Sequence, residues 1–188
     1  MTNIESHYGS WLIMILLIPL LYLPPVQAGD INLYGEVKIN VTVLAPPCDI
    51  NEGDRTGISV LFPPVSYRQF YNQGSSPEAP FTLRLSNCDI SQAKSVRFTF
   101  TGAEEHSLPG LLALSPQSEA KGIAVGIKSA GSGKPININK ISDNFALTEG
   151  DMAFHFIAWL QATPAALSDH TIEAGEFTAQ AVLSLSYE

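Results

Sequence analysis

Gly131-Ser132-Gly133-Lys134 carries the residue types of a phosphate-cradling loop, with glycine amides and a lysine ammonium close together. The spacing does not hold. The glycine required five residues before Gly133 is replaced by Lys128, and Pro135 stands where a Ser or Thr is needed. A surface turn accounts for the segment. Nucleophilic catalysis needs a Ser or Cys beside a His and an acid. His106, His155 and His170 are widely separated, and no local spacing joins them to a nucleophile. His155 lies between Phe154 and Phe156, out of phase with their apolar face, which turns its ring toward solvent. Glu104-Glu105 reads as a solvated loop pair. Asn40-Val41-Thr42 matches a glycosylation sequon but falls inside a strand-like run and is read as chance. The chain has two cysteines, Cys48 and Cys88. Their spacing fits no zinc pattern, and neither has a histidine nearby. The sequence therefore predicts no catalytic, cofactor or metal site, and no enzyme.

The elements that would position any site begin after an export signal. Trp11 to Leu23 is an apolar run interrupted by Pro19, and Val26-Gln27-Ala28 forms a small-residue cleavage site. The run is shorter than the ~20 residues a bilayer-spanning helix needs. Residues 1–28 are expected to be a signal peptide, although Glu5 and His7 stand where basic residues are usual. An uncleaved anchor is the alternative. The chain from Gly29 onward is long enough for one domain with a core, and it is not expected to insert in a membrane. In an exported chain an even cysteine count points to a disulfide. Closing a loop of about 40 residues stabilises by up to ~4 kcal/mol in the chain-entropy description. The formal charge of the 188-residue chain is -8, with no basic run, which argues against nucleic acid as a partner.

Period-two alternation runs through the rest of the chain. Ile31, Leu33, Val37, Ile39, Val41 and Val43 share one phase, with Gly35 in step. Phe81, Leu83 and Leu85 alternate, as do Val96, Phe98 and Phe100, then Ile123, Val125 and Ile127, then Phe154, Phe156, Ala158 and Leu160. From Gly175 the pattern is unbroken: Phe177, Ala179, Ala181, Leu183, Leu185 and Tyr187 alternate with mostly polar residues up to Glu188. Turn signals such as Pro46-Pro47, Pro63-Pro64 and Leu108-Pro109-Gly110 separate the runs. Many short strands without a long helical period predict an all-β, antiparallel sandwich of immunoglobulin type. The core Trp of true immunoglobulin domains is missing from between the cysteines, so the likeness is architectural.

Several segments in order resemble a known family. They are Pro46 to Ile50 around the first cysteine, Phe81 to Cys88 leading to the second, Phe98 to Gly102 with Glu104 to Leu112, Ala120 to Ile127, and Ala162 to Leu167. A glycine fourteenth from the end and a tyrosine second from the end complete the pattern. Together they resemble chaperone–usher pathway pilins, most closely the minor and adaptor subunits of P-type pili. The resemblance covers essentially the whole chain after the signal peptide.

The resemblance implies an incomplete immunoglobulin-like β-sandwich that lacks its last strand and is completed by donor-strand complementation. It places a donor extension at residues 29–37, with Ile31, Leu33 and Val37 as pocket-filling side chains and Gly35 at a shallow point. The pilin domain would be residues 38–188. The stretch from Gly35 to Cys48 is longer than the family pattern, so the donor segment has an open end, up to about residue 43. The resemblance also makes Gly175, Phe177, Ala179, Ala181, Leu183, Leu185 and Tyr187 the strand that a periplasmic pilus chaperone holds. An outer-membrane usher and neighbouring pilus subunits are the other implied partners, and a surface fimbria is the implied location. Three alternatives remain at this point: a single-domain tip adhesin binding a host glycan, a subunit terminating the fibre base, and a secreted β-sandwich enzyme.

Overall fold

The computed structural model describes residues 46–188. The expected signal peptide and the donor segment with Ile31, Leu33, Gly35 and Val37 lie outside the described residues. The alternating runs form two antiparallel sheets. One has the order β1 (Asp49–Ile50), β2 (Ala79–Cys88), β6 (Gly150–Ala162), β4 (Ile123–Ser129). The other has the order β5 (Phe145–Ala146), β3 (Ser95–Gly102), β7 (Ala181–Tyr187). All neighbouring strands pair antiparallel, and apart from β1 and β2 no two paired strands follow one another in the chain, so the links cross between and around the sheets.

The inner phase of each run meets between the sheets. Leu83 and Leu85, then Val96, Phe98 and Phe100, then Ile123, Val125 and Ile127, then Phe154, Phe156 and Leu160 are all buried. Phe98 sits at the centre, fully buried, with the rings of Phe145, Phe154 and Phe156 edge-on at 5.0, 5.0 and 5.2 Å. Such pairs add to area burial because ring edges meet ring faces. His155 is exposed, as its phase requires, and its Nδ1 lies 3.0 Å from the Thr82 hydroxyl. Cys48 and Cys88 are disulfide-bonded and buried. The bond ties the chain ahead of β1 to the end of β2.

Among the described residues, three short helices lie in the connections. α1 (Glu52–Arg55) starts where the Asn51 side chain accepts the Gly53 amide, and α2 (Tyr67–Gln73) is capped by Ser66 and stopped by Gly74 at φ 75°. α3 (Pro164–Ser168) has Thr163 as its cap and proline in its first turn. α1 closes part of an exposed edge. The Arg84 backbone amide of β2 donates to Asp54 Oδ2 at 2.7 Å, and the Asn51 amide donates to the Arg84 carbonyl at 3.0 Å. Pro80 lies on that same edge and has no amide to leave unpaired.

The other edges are closed by irregular chain. Beside β3, the Asn139 amide donates to the Phe100 carbonyl. The Asn139 side chain both accepts from the Gly102 amide at 3.1 Å and donates to the Gly102 carbonyl at 3.0 Å. Beside β4, Leu112 and Val125 exchange amide bonds, and the Ile136 amide donates to the Ile127 carbonyl. Glu104 is an exposed loop residue that also accepts the Gly110 amide, and Glu105 accepts from Ser107. The pair therefore holds the loop between β3 and β4 in shape.

Asp54→Ala would leave the Arg84 amide of β2 without its acceptor. A loss of about 1–3 kcal/mol is expected, read as a lowered denaturation midpoint with an unchanged slope.

Candidate functional site

Among the described residues, β7 has no strand paired to its outer edge. Its pairing with β3 fixes which groups are free. The Glu188 amide donates to the Ser95 carbonyl, and the Ser95 amide donates back to the Glu188 carbonyl, both at 2.9 Å. In an antiparallel ladder directly bonded pairs alternate with unbonded ones. Ser186 opposite Arg97, Ser184 opposite Thr99 and Val182 opposite Thr101 are therefore the bonded pairs. The amides and carbonyls of Tyr187, Leu185, Leu183 and Ala181 point the other way. Upstream the same phase continues. Glu176 and Thr178 carbonyls accept from Glu119, Ala120 and Ser115, which leaves Phe177 and Ala179 facing the bare edge.

The phase that presents a free backbone also presents its side chains inward. Phe177, Ala179, Leu183, Leu185 and Tyr187 pack against the core but are half-buried, whereas Val96 and Phe98 on the adjacent β3 are 0 % exposed. Ala181 is exposed although it is in phase. The regular strand is also shorter than the alternation predicts. It begins at Ala181, since residues 176–178 pair with the 115–120 loop after β3 has ended at Gly102. Gly175 is a close approach: a Cβ there would meet the Glu119 Cβ at 2.4 Å.

A second apolar run comes beside this strand at Phe62, and it is absent from the alternating runs read in the sequence. Ile58, Val60 and Phe62 are half-buried against the core, while Ser59 is exposed and Leu61 is 87 % exposed. That is a strand's period, yet residues 58–65 make no backbone hydrogen bond among the described residues. The sequence signal was I-S-V-L-F ahead of Pro63-Pro64. At one end the Phe62 and Phe177 rings lie 5.8 Å apart. At the far end of β7, burial pushes the Tyr187 phenol up from its ordinary value, and the Asp49 carboxylate of β1 adds to the effect. Tyr187 therefore stays neutral at any physiological pH. Among the described residues, the space between these ends is an apolar groove with unpaired backbone along its β7 side.

The residues considered for catalysis are not brought together. Among the described residues no group of three or more His, Cys, Asp or Glu could hold a metal ion. Lys134 pairs with Asp143 at 2.8 Å, and that contact raises the lysine pKa and lowers the carboxyl. The ammonium is thus already engaged by a carboxylate rather than held ready for a phosphate.

The profile of the Fimbrial protein family matches residues 31–188. The chain belongs to the fimbrial protein family. This fimbrial subunit is 32 % identical over 161 residues to the fimbrial-like protein YfcP of Escherichia coli (strain K12), covering 85 % of each chain. It is 31 % identical over 173 residues to the fimbrial adapter PapK of Escherichia coli, covering 89 % of this chain and 96 % of PapK. Its fold is similar to the crystal structure of the P pilus rod subunit PapA, with a TM-score of 0.65 at 23 % identity, over 76 % of this chain and all of that one. The sandwich is the immunoglobulin-like pilin fold with one sheet left unclosed. The chain is a structural subunit of a fimbria on the bacterial surface.

The edge geometry predicts an alternating exchange pattern in the unpartnered subunit. Amides of Ser184 and Ser186 should be protected from hydrogen exchange, and those of Leu183 and Leu185 should exchange at least about tenfold faster. Amide-resolved exchange by NMR checks this.

Proposed function

We propose that this fimbrial subunit polymerises by donor-strand exchange, as a minor or adaptor subunit. The observation that carries the proposal is the coincidence, along β7, of free backbone groups and half-buried apolar side chains in one phase. An added strand would satisfy the first and cover the second together, which is the physics of strand addition. On this reading the residues that receive a strand are Phe177, Ala179, Ala181, Leu183, Leu185 and Tyr187, with Ile58, Val60 and Phe62 on the opposite wall. Similarity to the adapter PapK over nearly its full length supports the adaptor assignment.

The strand given to the next subunit is residues 29–37, released when the signal peptide 1–28 is cleaved, with its end extending up to about residue 43. Ile31, Leu33 and Val37 fill pockets there, and Gly35 crosses the shallowest point. The pilin domain is residues 38–188. A donor burying several hundred Å² of apolar surface contributes on the order of 10 kcal/mol before ordering costs. That suits a fibre whose joints rarely open. Before assembly a periplasmic chaperone fills the groove, and the outer-membrane usher is where one strand replaces another. The chain performs no catalysis on this reading. Its work is pairing one strand and offering another.

Gly35→Leu separates the two halves of the proposal. The variant should still copurify with its chaperone, because its own groove is untouched. Its incorporation as donor into fibres should fall by at least about tenfold, measured by fractionating assembled and chaperone-bound pools. Loss of both properties, or of neither, would sink the proposal.

A further inference from the structure

The outward face of the four-stranded sheet carries a second feature, far in kind from the groove. Gly126 of β4 stands opposite Trp159 of β6. A Cβ on Gly126 would lie 2.3, 2.4 and 2.6 Å from three adjacent atoms of the indole, Cζ2, Cε2 and Cη2. Near-equal distances to adjacent ring atoms mean that the ring's face, not its edge, rests on the glycine. The absence of a side chain at Gly126 lets the indole lie flat on the sheet. Its opposite face turns outward, and the residue is half-buried.

Polar groups gather around this ring. The Lys128 ammonium stands over the outward side of the ring, 5.8 Å from its centroid, and is paired with the Glu78 carboxylate. The Ser75 hydroxyl, half-buried beside them, makes no hydrogen bond among the described residues. With Ser76 and Pro135 they line a depression of about 270 Å³. An aromatic floor with a few convergent polar groups is the usual composition of a small-ligand site. The volume is at the small end, suited to one ring rather than an extended chain.

We propose that this depression binds a neutral pyranose sugar. The C–H bonds on one face of a pyranose carry partial positive charge and match the electron-rich face of an indole held flat. Its ring hydroxyls both donate and accept. Glu78 offers an acceptor, Lys128 a donor, and Ser75 either. The charges of Lys128 and Glu78 already neutralise each other, so the site favours an uncharged sugar over an acidic one. The site belongs to the sheet opposite the groove, and its occupancy is independent of strand donation.

The test is an NMR titration of the full-length ¹⁵N-labelled chain, carried with its chaperone. The titrants are the methyl glycosides of glucose, galactose, mannose and N-acetylglucosamine, with sialic acid in a separate arm. The expected result is a saturable millimolar shift of the Trp159 indole N–H and of the Lys128 amide with at least one neutral glycoside. Ser75→Ala and Glu78→Gln should each weaken it by about threefold to tenfold. Trp159→Ala should abolish it, but it also uncovers the sheet, so the two polar variants carry the decision. No saturable shift with any neutral glycoside would overturn the proposal. So would shifts unchanged in the Ser75→Ala/Glu78→Gln double variant, or tighter binding of sialic acid than of all four.

Discussion

The structure turns on one constraint: a backbone amide or carbonyl at a strand edge must find a partner. Buried polar groups without one cost free energy comparable to a lost hydrogen bond. Along β7 that requirement is open over the same residues whose apolar side chains are half covered. The two deficits reinforce each other. Water can satisfy the edge, but the water that does so also wets Leu183, Leu185 and Tyr187. A strand relieves both at once, and a loose apolar ligand relieves only one. On the proposed reading, that is why an extended peptide with alternating side chains suits this edge.

The treatment of the remaining edges sharpens the contrast. Asp54 takes the Arg84 amide, Asn139 pairs with Gly102 in both directions, and Ile136 and Leu112 bond to β4. Pro80 removes an amide that would otherwise project. Each device blocks pairing at a place where it would produce aggregation. Among the described residues the outer edge of β7 carries no such device.

Much of this was legible in the sequence because a buried face imposes a period of two. Val96, Phe98 and Phe100, or Phe154 and Phe156, announce their strands and their inner face together. The cysteine pairing followed from number and compartment. The wall at Ile58, Val60 and Phe62 was harder to read, since the exposed Leu61 breaks the polar phase of the alternation. Edge closure was invisible for another reason. Whether Asp54 or Asn139 is a solvated side chain or a strand cap depends on which distant amide comes to rest beside it. The same holds for Glu104 and Gly110, and for Trp159 over Gly126. These are tertiary facts that no local pattern carries.

The disulfide has a mechanical meaning. Traction on the chain ahead of Cys48 does not have to pass through β1, which spans just Asp49–Ile50. It crosses the covalent bond to Cys88 and enters β2 at the end of a ladder with β6 that reaches from Ala79 to Cys88. A pull directed along that ladder strains its hydrogen bonds in parallel, as shear, instead of opening them one after another. Two sulfur atoms thus convert a short, weakly held first segment into a tether anchored in the broad sheet of the molecule.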